Sequence, residues 1–435
     1  MLTFQEFHQQ TEQKPRFTGK RLVKLDSKAT HKAITTHAKS ASLKLASFSD
    51  YSEGVKDFHK AFDEADGIVF EQFGVAVINE DKEKQVSILT ESSSSKNTFI
   101  YSEPERYVYA LPDSFEEFMR GYKSAVDDIF NRVTSKGKSH VIKGTASYQD
   151  DAIASWGIHA TNILSTQYSG KGVNVAILDT GFNLKHSDFV GRTIISKSFI
   201  KGQKVDDQNG HGSHCIGIST GNINKNTGRR YGVAKDANIY IGKVLSNAGS
   251  GSDSGILAGM EWAITNGCKI ISMSLGAPVE PGETYSNIYN DLAKKALSKG
   301  TLIVAAAGNE SRRDRGRIAP VGHPANCPAI MAVAALDSDL DIAYFSCGGI
   351  NSDGGQIDIA APGVDIYSSW KSPDNYNTIS GTSMATPFVA GIAALYWEEN
   401  PNASAADIWT YLIQNAKRLN LSSSDVGAGL VQAPK

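Results

Sequence analysis

The stretch Val175-Ala176-Ile177-Leu178-Asp179-Thr180-Gly181 decides the fold class. Its unbroken apolar run predicts a strand that is buried on both faces, and the glycine soon after Asp179 predicts a sharp turn. Similar runs alternate with helical stretches, which predicts strands at 173–178, 239–244, 270–274 and 302–306 and helices at 252–267 and 285–299. This alternation is typical of an α/β fold with a parallel sheet flanked by helices. It places Asp179 at the carboxyl edge of the sheet, where ligand sites form.

Composition and charge exclude several kinds of partner. The chain has 435 residues, of which 40% are hydrophobic and 21% are charged, and its formal net charge is −2. This length suits two domains, and so small a charge provides no field that would gather nucleic acid. No apolar run approaches the roughly 20 residues of a membrane span. We therefore expect neither nucleic acid nor membrane as a partner.

The N-terminal sequence and the cysteines give further expectations. Residues 1–8 lack the basic start and apolar stretch of a signal peptide, which favours a cytoplasmic location. A secreted protein whose signal has been removed is the alternative. The cysteines contain no Cys-x-x-Cys pair and predict neither a zinc site nor a disulfide framework. We expect four free, buried thiols, at Cys215, Cys268, Cys327 and Cys347.

The composition changes near residue 147, and the part before it predicts a small α+β unit. A helix is expected at 27–38. The polar turn Asn79–Lys82 leads into Gln85–Leu89, which reads as the second strand of a hairpin. Other strands are expected at 21–25, 67–70, 73–78, 98–101 and 106–109.

A separate helix is predicted between the two parts. Apolar residues recur at spacings of three and four from Phe115 to Val133, and Ser114 with Glu117 forms a capping box at the start. Residues 134–147 have the composition of an exposed, cleavable linker. The sequence thus predicts three parts: 1–111, 112–147 and 148–435.

Three further segments carry polar side chains at the ends of predicted elements. His211 lies between glycines before a helix, Asn309 follows the strand at 302–306, and Ser383 opens a helix after a glycine turn. A serine at the positive end of a helix lies beside free N–H groups that can stabilise an oxyanion. Taken singly, each side chain also has a structural explanation. Asp179 and Ser383 suit helix caps, the histidine suits a core position, and the asparagine can stabilise its own turn.

Together the four side chains form a recognisable pattern. In order and in spacing (32, 98 and 74 residues), Asp179, His211, Asn309 and Ser383 resemble the subtilisin-like serine protease family. The resemblance covers roughly residues 148–435. It includes Gly232-Val233-Ala234, Ser272-Met273-Ser274-Leu275-Gly276, Ala360-Ala361-Pro362-Gly363 and Gly427-Ala428-Gly429-Leu430-Val431. It implies a serine endopeptidase with a subtilisin-like fold.

The resemblance also implies a role for each residue. Ser383 would attack the scissile carbonyl, His211 would take its proton as general base, and Asp179 would orient the imidazole. The Asn309 amide and the backbone N–H of Ser383 would hold the oxyanion, and an acyl-enzyme would form and be hydrolysed. This chemistry requires no cofactor.

By the same resemblance, a protein or peptide substrate would bind as an extended strand between two edges of the cleft. The positions implied for substrate binding are Gly249, Gly251, Ser274, Leu275, Gly276, Ala306, Gly308 and Gly322. The small, apolar walls of the primary pocket predict a preference for an apolar P1 side chain. Asp253 departs from the family pattern, because many relatives carry an aromatic or apolar residue at this point of the fourth pocket.

A structural calcium ion is a further expectation from the resemblance. Asp188 matches a ligand of the family's tight calcium site. The expected ligand loop, Asn222 to Tyr231, is longer here than in the family. The alternative interpretation is that Asp188 makes only local hydrogen bonds.

The small α+β unit resembles the family's inhibitory propeptide, a ferredoxin-like domain that lays its tail in the cleft. We expect Val108, Tyr109, Ala110 and Leu111 to occupy the non-prime subsites, with Leu111 in the primary pocket. The bond to Pro112 is a poor scissile bond, because proline has no N–H and a fixed φ. The resemblance thus implies an autoinhibited zymogen whose own N-terminal domain is the inhibitor.

The role of the segment after Pro112 has two interpretations. Activation could require a partner or a cut within 134–147, or the helix at 114–133 could be a spacer that packs on the propeptide. For the whole protein, two other classes are considered. One is a catalytically silent subtilisin-like fold used for binding, which the intact catalytic set argues against. The other is a signalling component in which the N-terminal part senses a partner and proteolysis is the output.

Overall fold

A computed structural model of the chain describes residues 16–52, 59–91, 98–110 and 147–435. The described residues before 111 form a small domain, and those from 147 onward form a large one. The strands of the small domain are β1 (Phe17–Leu25), β2 (Leu45–Ser47), β3 (Gly67–Phe70), β4 (Val75–Ile78) and β5 (Phe99–Ala110). Its helices are α1 (His31–Ser40), α2 (Ser49–Ser52), α3 (His59–Glu64) and α4 (Glu83–Glu91).

The large domain contains the chemistry-bearing segments. Its strands are β6 (Asn174–Asp179), β7 (Ile194–Ser198), β8 (Asn238–Lys243), β9 (Ser250–Ser252), β10 (Ile270–Met273), β11 (Leu275–Gly276), β12 (Leu302–Ala306), β13 (Met331–Leu336), β14 (Ile359–Pro362), β15 (Ile366–Ser369) and β16 (Tyr376–Ile379). Its helices are α5 (Trp156–Ala160), α6 (His211–Thr220), α7 (Asp253–Thr265), α8 (Asn287–Ser298), α9 (Thr382–Glu399), α10 (Ala405–Gln414) and α11 (Ser423–Val426).

A seven-stranded parallel sheet forms the centre of the large domain. Its strand order is β14-β13-β12-β10-β6-β8-β7. Helix α9 packs along β10, β12 and β13 and is buried from Thr382 to Trp397. Pro387 lies inside this helix and has no N–H to donate to the carbonyl of Ser383 four residues earlier, and this carbonyl accepts the hydroxyl of Ser274 instead. The α/β fold with a parallel sheet and flanking helices, predicted from the sequence, is confirmed.

The small domain has the ferredoxin-like topology. Strand β1 pairs antiparallel with both β4 and β5, and the order across the sheet is β5-β1-β4-β3-β2. Ile34 of α1 and Leu89 of α4 pack with Val23 and Phe99 on one face of this sheet. The opposite face belongs to the core of the large domain, whose helices α7 and α8 contact β1, β3 and β5. The sheet therefore lies as a layer between its own helices and the large domain.

One local prediction is wrong, because Gln85–Leu89 lies in helix α4 and not in a strand. Val86 and Leu89 are 2% and 1% exposed against the sheet, whereas Ile88 is 62% exposed. A strand would place Val86 and Ile88 on the same face, but a helix separates them and brings residues three apart together. Burial of the sheet's face thus overrides the apparent hairpin.

Two other expectations concern the whole chain. All four cysteines are free and buried, as predicted. Within the described ranges, none of the helices combines the length and apolar character needed to cross a membrane.

Candidate active site

Three elements of the large domain bring Asp179, His211 and Ser383 together. Asp179 is the last residue of β6, His211 is the first of α6, and Ser383 lies in the first turn of α9. The imidazole Nδ1 of His211 is 2.8 and 3.0 Å from the two carboxylate oxygens of Asp179. All three residues are buried, at 1%, 5% and 0% exposed respectively.

A second carboxylate, Asp207, fixes the backbone around His211. Its Oδ1 accepts the N–H groups of Asn209 and Gly210 and the hydroxyl of Thr180, at 2.9–3.0 Å. Its Oδ2 accepts the N–H and the hydroxyl of Ser213 in the first turn of α6. The sequence pattern did not identify Asp207, although it lies only four residues before His211.

The glycine after His211 is required by close packing. A Cβ at Gly212 would lie 2.3 Å from the carbonyl oxygen of Gly181, which is far inside van der Waals contact. Gly210, the residue before the helix, has a φ of +107°, which side-chain-bearing residues rarely adopt. The two glycines thus let the histidine reach Asp179.

The surroundings of the two histidines of this segment differ. Burial disfavours a charged His211, but the adjacent Asp179 carboxylate outweighs burial and raises the pKa of the imidazole well above its usual value. His214, three residues later, is buried without a carboxylate partner, and burial with the nearby His211 lowers its pKa to about 3. Its Nε2 lies 2.9 Å from the carbonyl oxygen of Ile366, so His214 is a neutral structural residue.

The hydroxyl of Ser383 lies in the site without contacting the histidine. Its Oγ donates to the carbonyl oxygen of Ser274 at 3.1 Å, and the Ser274 hydroxyl donates to the carbonyl of Ser383 at 2.8 Å. The Nε2 of His211 is buried and has no hydrogen-bond partner among the described residues. The serine hydroxyl must therefore leave the Ser274 carbonyl before it can donate to this nitrogen.

The side-chain amide of Asn309 is held in one orientation by its oxygen. Its Oδ1 accepts from the N–H and the hydroxyl of Thr382 at 3.0 and 2.8 Å, which leaves Nδ2 buried and unpartnered within the described part of the chain. A Cβ built on Gly381 would lie 3.1 Å from this Nδ2 and 3.6 Å from the backbone nitrogen of Ser383. Gly381 therefore keeps open a space that both N–H groups border, as an oxyanion hole requires.

A thiol lies directly under the histidine. Cys215 Sγ is 3.9 Å from His211 Nδ1 and 3.6 Å from the carbonyl oxygen of Ser383. The carboxylate, imidazole and thiol of Asp179, His211 and Cys215 lie close enough together to meet one metal ion. Burial raises the pKa of the Cys215 thiol, and the Nδ1 of His211 that faces this thiol is already bonded to Asp179.

Strand β5 of the small domain occupies the groove beside these residues. It pairs antiparallel with β9 through Val108 and Gly251, and with β11 through Tyr109 and Gly276. The N–H of Ala110 donates to the carbonyl of Gly249 at 2.7 Å. The sequence-predicted positions Gly249, Gly251, Leu275 and Gly276 thus form the two rims, and Val108, Tyr109 and Ala110 lie between them. Leu111, the last predicted residue of this tail, lies outside the described residues.

The segments expected around the primary pocket adjoin one another. Ala306 ends β12, and the N–H of Gly322 donates to the carbonyl of Ala307 at 2.8 Å. A Cβ at Gly276 would lie 2.8 Å from the carbonyl oxygen of His323, which links the rim to this loop. Gly308 has a φ of +115° and turns the chain towards Asn309. The structure therefore brings all the sequence-predicted pocket residues to one region.

The residues around Asp188 do not fit a calcium ion. The hydroxyls of Tyr231 and Tyr376 donate to Oδ2 at 2.8 and 2.9 Å, and the N–H of Lys225 donates to Oδ1 at 3.0 Å. Burial raises the pKa of Tyr231, which keeps this hydroxyl a donor. Calcium requires six to eight oxygen acceptors, whereas these groups are donors and the loop also carries a lysine and two arginines. Asp188 makes local hydrogen bonds, which is the alternative that the sequence left open.

Comparison with known proteins gives a consistent result. The sequence profile described as "Subtilase family" matches residues 170–429. This chain belongs to the subtilase family. Subtilisin DY of Bacillus licheniformis is 37% identical over 275 residues, which cover 63% of this chain and 94% of that protein. Subtilisin E of Bacillus subtilis (strain 168) is 38% identical over 276 residues, covering 63% and 68%.

A solved structure agrees with the sequence comparisons. The structure of Sphericase is 34% identical and matches with a TM-score of 0.55, covering 64% of this chain and 98% of that chain. The subtilisin-like fold is therefore shown. As a subtilase, the protein is a serine endopeptidase, a hydrolase that acts on peptide bonds.

The interpretation of Asp188 leads to a stability prediction. We expect that a chelator leaves the thermal unfolding midpoint of the full chain unchanged, because protein donors take the place of the ion. Asp188→Asn should lower the unfolding free energy by about 1–3 kcal/mol, since it replaces a charged acceptor that binds the Tyr231, Tyr376 and Lys225 donors. Differential scanning calorimetry with and without EDTA measures both effects. A midpoint that falls in EDTA and is restored by calcium would contradict this account.

Proposed function

We propose that this subtilase is an autoinhibited serine endopeptidase in which Asp179, His211 and Ser383 form the catalytic triad. The observation that carries the proposal is the position of β5. This strand lies antiparallel between both rims of the cleft and ends at Ala110, beside the catalytic residues. Strand addition of this kind is how extended peptides bind a sheet edge, so β5 lies where a substrate would lie.

The geometry supports a role for each member of the triad in the transfer of a proton from Ser383 to His211. Asp179 accepts Nδ1–H of His211 at 2.8 Å, so the proton-accepting lone pair of the neutral imidazole lies on Nε2. When the Ser383 hydroxyl turns away from Ser274, Nε2 takes its proton and Oγ attacks the scissile carbonyl. The imidazolium that results is stabilised by the Asp179 carboxylate and then protonates the leaving amine.

The oxyanion that forms needs donors that are in place before the reaction. Asn309 Nδ2 and the backbone N–H of Ser383 border the space beside Gly381. Their positions are fixed by Thr382 and by the first turn of α9, so they need no reorganisation as charge develops. Water then hydrolyses the acyl-enzyme with His211 as general base.

Two carboxylates of β5 support the inhibitory role of the small domain. Glu103 accepts the N–H of Asn287 at 3.0 Å and the hydroxyl of Ser286 at 2.6 Å, at the start of α8. Glu105 accepts the N–H of Ser254 at 2.9 Å, in the first turn of α7. Carboxylates at helix N-termini interact favourably with the free N–H groups and the helix dipole, and each contact contributes about 1 kcal/mol. The small domain therefore docks by backbone pairing together with two helix caps.

An apolar preference at P1 forms part of the proposal. Ala306 and Ala307 are 2% and 0% exposed, and Gly276 and Gly322 add no side chains to this region. With Ala110 bonded to Gly249, the next residue, Leu111, would enter this pocket. We therefore assign residues 1–111 to an inhibitory propeptide domain and 148–435 to the catalytic domain.

Activation is the second part of the proposal. Residues 134–147 would hold the processing site, and an activating partner or a second cut would free the cleft. The sequence-based preference for a cytoplasmic location gains no support from the relatives and stays a prediction.

The catalytic assignment predicts large, separable losses of activity. Ser383→Ala should abolish labelling by a fluorophosphonate probe and lower the rate of peptide hydrolysis by roughly 10⁶-fold. Asp179→Asn should lower the rate of peptide hydrolysis by roughly 10⁴-fold. Both magnitudes are those of the equivalent groups of serine proteases. Asn309→Ala should lower kcat by roughly 100- to 1,000-fold with little change in KM, because the amide acts on the oxyanion. Intact mass spectrometry and steady-state kinetics measure these effects. Labelling of Ser383→Ala at the wild-type rate would refute the assignment.

Autoinhibition predicts that a charge on β5 releases the enzyme. Val108 is fully buried, so Val108→Asp places a carboxylate in an apolar pocket, at a cost of several kcal/mol. We expect the fluorophosphonate labelling rate of the full chain to rise at least about tenfold. Ile100→Asp is the matched control, because Ile100 lies on the same strand and is 47% exposed. Equal labelling of wild type and Val108→Asp would show that β5 does not block the cleft.

A buried carboxylate predicts that docking depends on pH. Burial, followed by the charge of Glu71 in the small domain, raises the pKa of Glu261 in α7 to about 8, whereas Lys299 opposes the shift. Glu71 also lies 3.2 Å from the imidazole of His31. Because a raised pKa means that the docked state binds this proton more tightly, docking is strongest below the ordinary pKa of 4.5 and weakens as pH rises towards 8.

The variant Glu261→Gln isolates this effect, since glutamine resembles the protonated acid. The labelling rate of Glu261→Gln divided by that of wild type should fall as pH rises from 5 to about 8. The titration of His211 affects both proteins equally and cancels in the ratio. A ratio that is constant over this range would exclude Glu261 as the group that controls docking.

A further inference from the structure

Arg106 of β5 is a charged side chain that the inhibitory contact buries in the large domain. The residue is 8% exposed, and its guanidinium Nη2 lies 3.4 Å from Glu283 Oε1. The Nε and Nη1 groups are buried and have no hydrogen-bond partner among the described residues. A buried cation needs a compensating charge, and here Glu283 supplies it.

Glu283 is held in position by its own loop. Its Oε2 accepts the N–H of Glu280 at 3.2 Å, and its carbonyl accepts from the amide of Asn351 at 3.0 Å. Arg16 of the small domain also donates to Glu283 Oε2. Burial opposes ionisation, but the Arg16 and Glu280 hydrogen bonds outweigh it and lower the pKa of this carboxyl. When the small domain leaves, both arginines leave with it, and a fixed anion remains at the end of the cleft.

Asp253 binds the backbone of the same residue. Its Oδ2 accepts the N–H of Arg106 at 2.8 Å, and its Oδ1 lies 3.0 Å from Nε2 of His323. The Asp253 carbonyl accepts the hydroxyl of Tyr289, whose ring contacts the His323 ring edge-on at 4.6 Å between centroids. Asp253 is fully buried, so its carboxylate has one fixed direction. The residue that departs from the family pattern at the fourth pocket is thus part of a built site.

We propose that Asp253 and Glu283 form an acidic distal subsite that selects substrates with an arginine or lysine five residues before the P1 residue. The inference rests on the proposed function, because it treats β5 as a mimic of bound substrate with Leu111 at P1. Asp253 binds the backbone N–H of the distal residue, and Glu283 attracts its positive charge. The preferred substrates are therefore proteins with a basic side chain upstream of an apolar cleavage site.

Peptide hydrolysis tests the subsite in the full-length protein. Two internally quenched peptides contain the sequence of residues 106–111 before the scissile bond, one with arginine and one with glutamine at the distal position. The third peptide is an isomer of the arginine peptide. It has glutamine at the distal position and carries its arginine two residues further upstream. Far below KM, the ratio of rates equals the ratio of kcat/KM, and it does not depend on the fraction of enzyme whose cleft is open.

We expect the arginine peptide to be cleaved about 5- to 10-fold faster than the other two, and this preference to shrink at high salt. Glu283→Gln should reduce the preference to less than about twofold. Glu280→Gln, an exposed carboxylate three residues away, is the matched control and should retain it. Proline at the distal position should lower kcat/KM below that of the glutamine peptide, because it cannot donate to Asp253.

The outcomes separate the inference from the proposed function. Cleavage without a preference for arginine, or a preference that survives Glu283→Gln, overturns the subsite and leaves the protease assignment intact. If the wild-type chain cleaves no peptide, the same ratios are measured in Val108→Asp. Failure of both proteins to cleave any peptide overturns the proposed function and the subsite with it.

Discussion

The pairing of β5 with β9 and β11 is the interaction on which the arrangement of the two domains depends. It joins the sheet of the small domain to both rims of the cleft, so that strands from two domains share one hydrogen-bonded sheet. These bonds use main-chain atoms, which every substrate also offers. The rims leave no room for side chains that would distinguish the small domain from a substrate, because a Cβ added at Gly251 or Gly276 would lie within 2.8 Å of a backbone oxygen. Selectivity between the small domain and a substrate must therefore come from side chains beyond the rims.

The buried charges near Asp179 include both carboxylates and an ammonium group. Asp179 and Asp207 are 1% and 3% exposed, and Lys243 between them is fully buried. Burial lowers the pKa of Lys243, while Asp207 and Asp179 oppose that shift. The ammonium donates to the carbonyl of Thr180, the residue after Asp179. An isolated buried charge would be costly, and here the two carboxylates stabilise the Lys243 ammonium, which in turn binds the backbone at the end of β6.

The proposed catalytic residues could be located from the sequence because each lies at the boundary of a regular element. Asp179 ends an apolar strand, and Ser383 follows a glycine at the start of an apolar helix, so local patterns place both at the sheet edge. Asp207 gives no such signal, since it lies in a loop and its partners become neighbours only on folding. The same holds for Asp188, whose partners Tyr231 and Tyr376 are 43 and 188 residues away. Helix α4 could not be predicted from the local sequence, because its five central residues fit both the helical period and the strand period. The sheet that the helix covers decides between the two.

The interface between the domains combines contacts that favour docking with contacts that oppose it. Glu103 and Glu105 meet the N-termini of α8 and α7, where negative charge is stabilised. On the body of α7, burial and the charge of Glu71 raise the pKa of Glu261 to about 8. The caps and the strand pairing favour docking of the small domain, whereas the buried carboxylate of Glu261 disfavours it once this group ionises. Because neither Glu71 nor Glu261 belongs to the proposed triad, the proposed oxyanion donors or the rims, a change in the protonation of Glu261 would alter docking without altering the residues of the proposed active site.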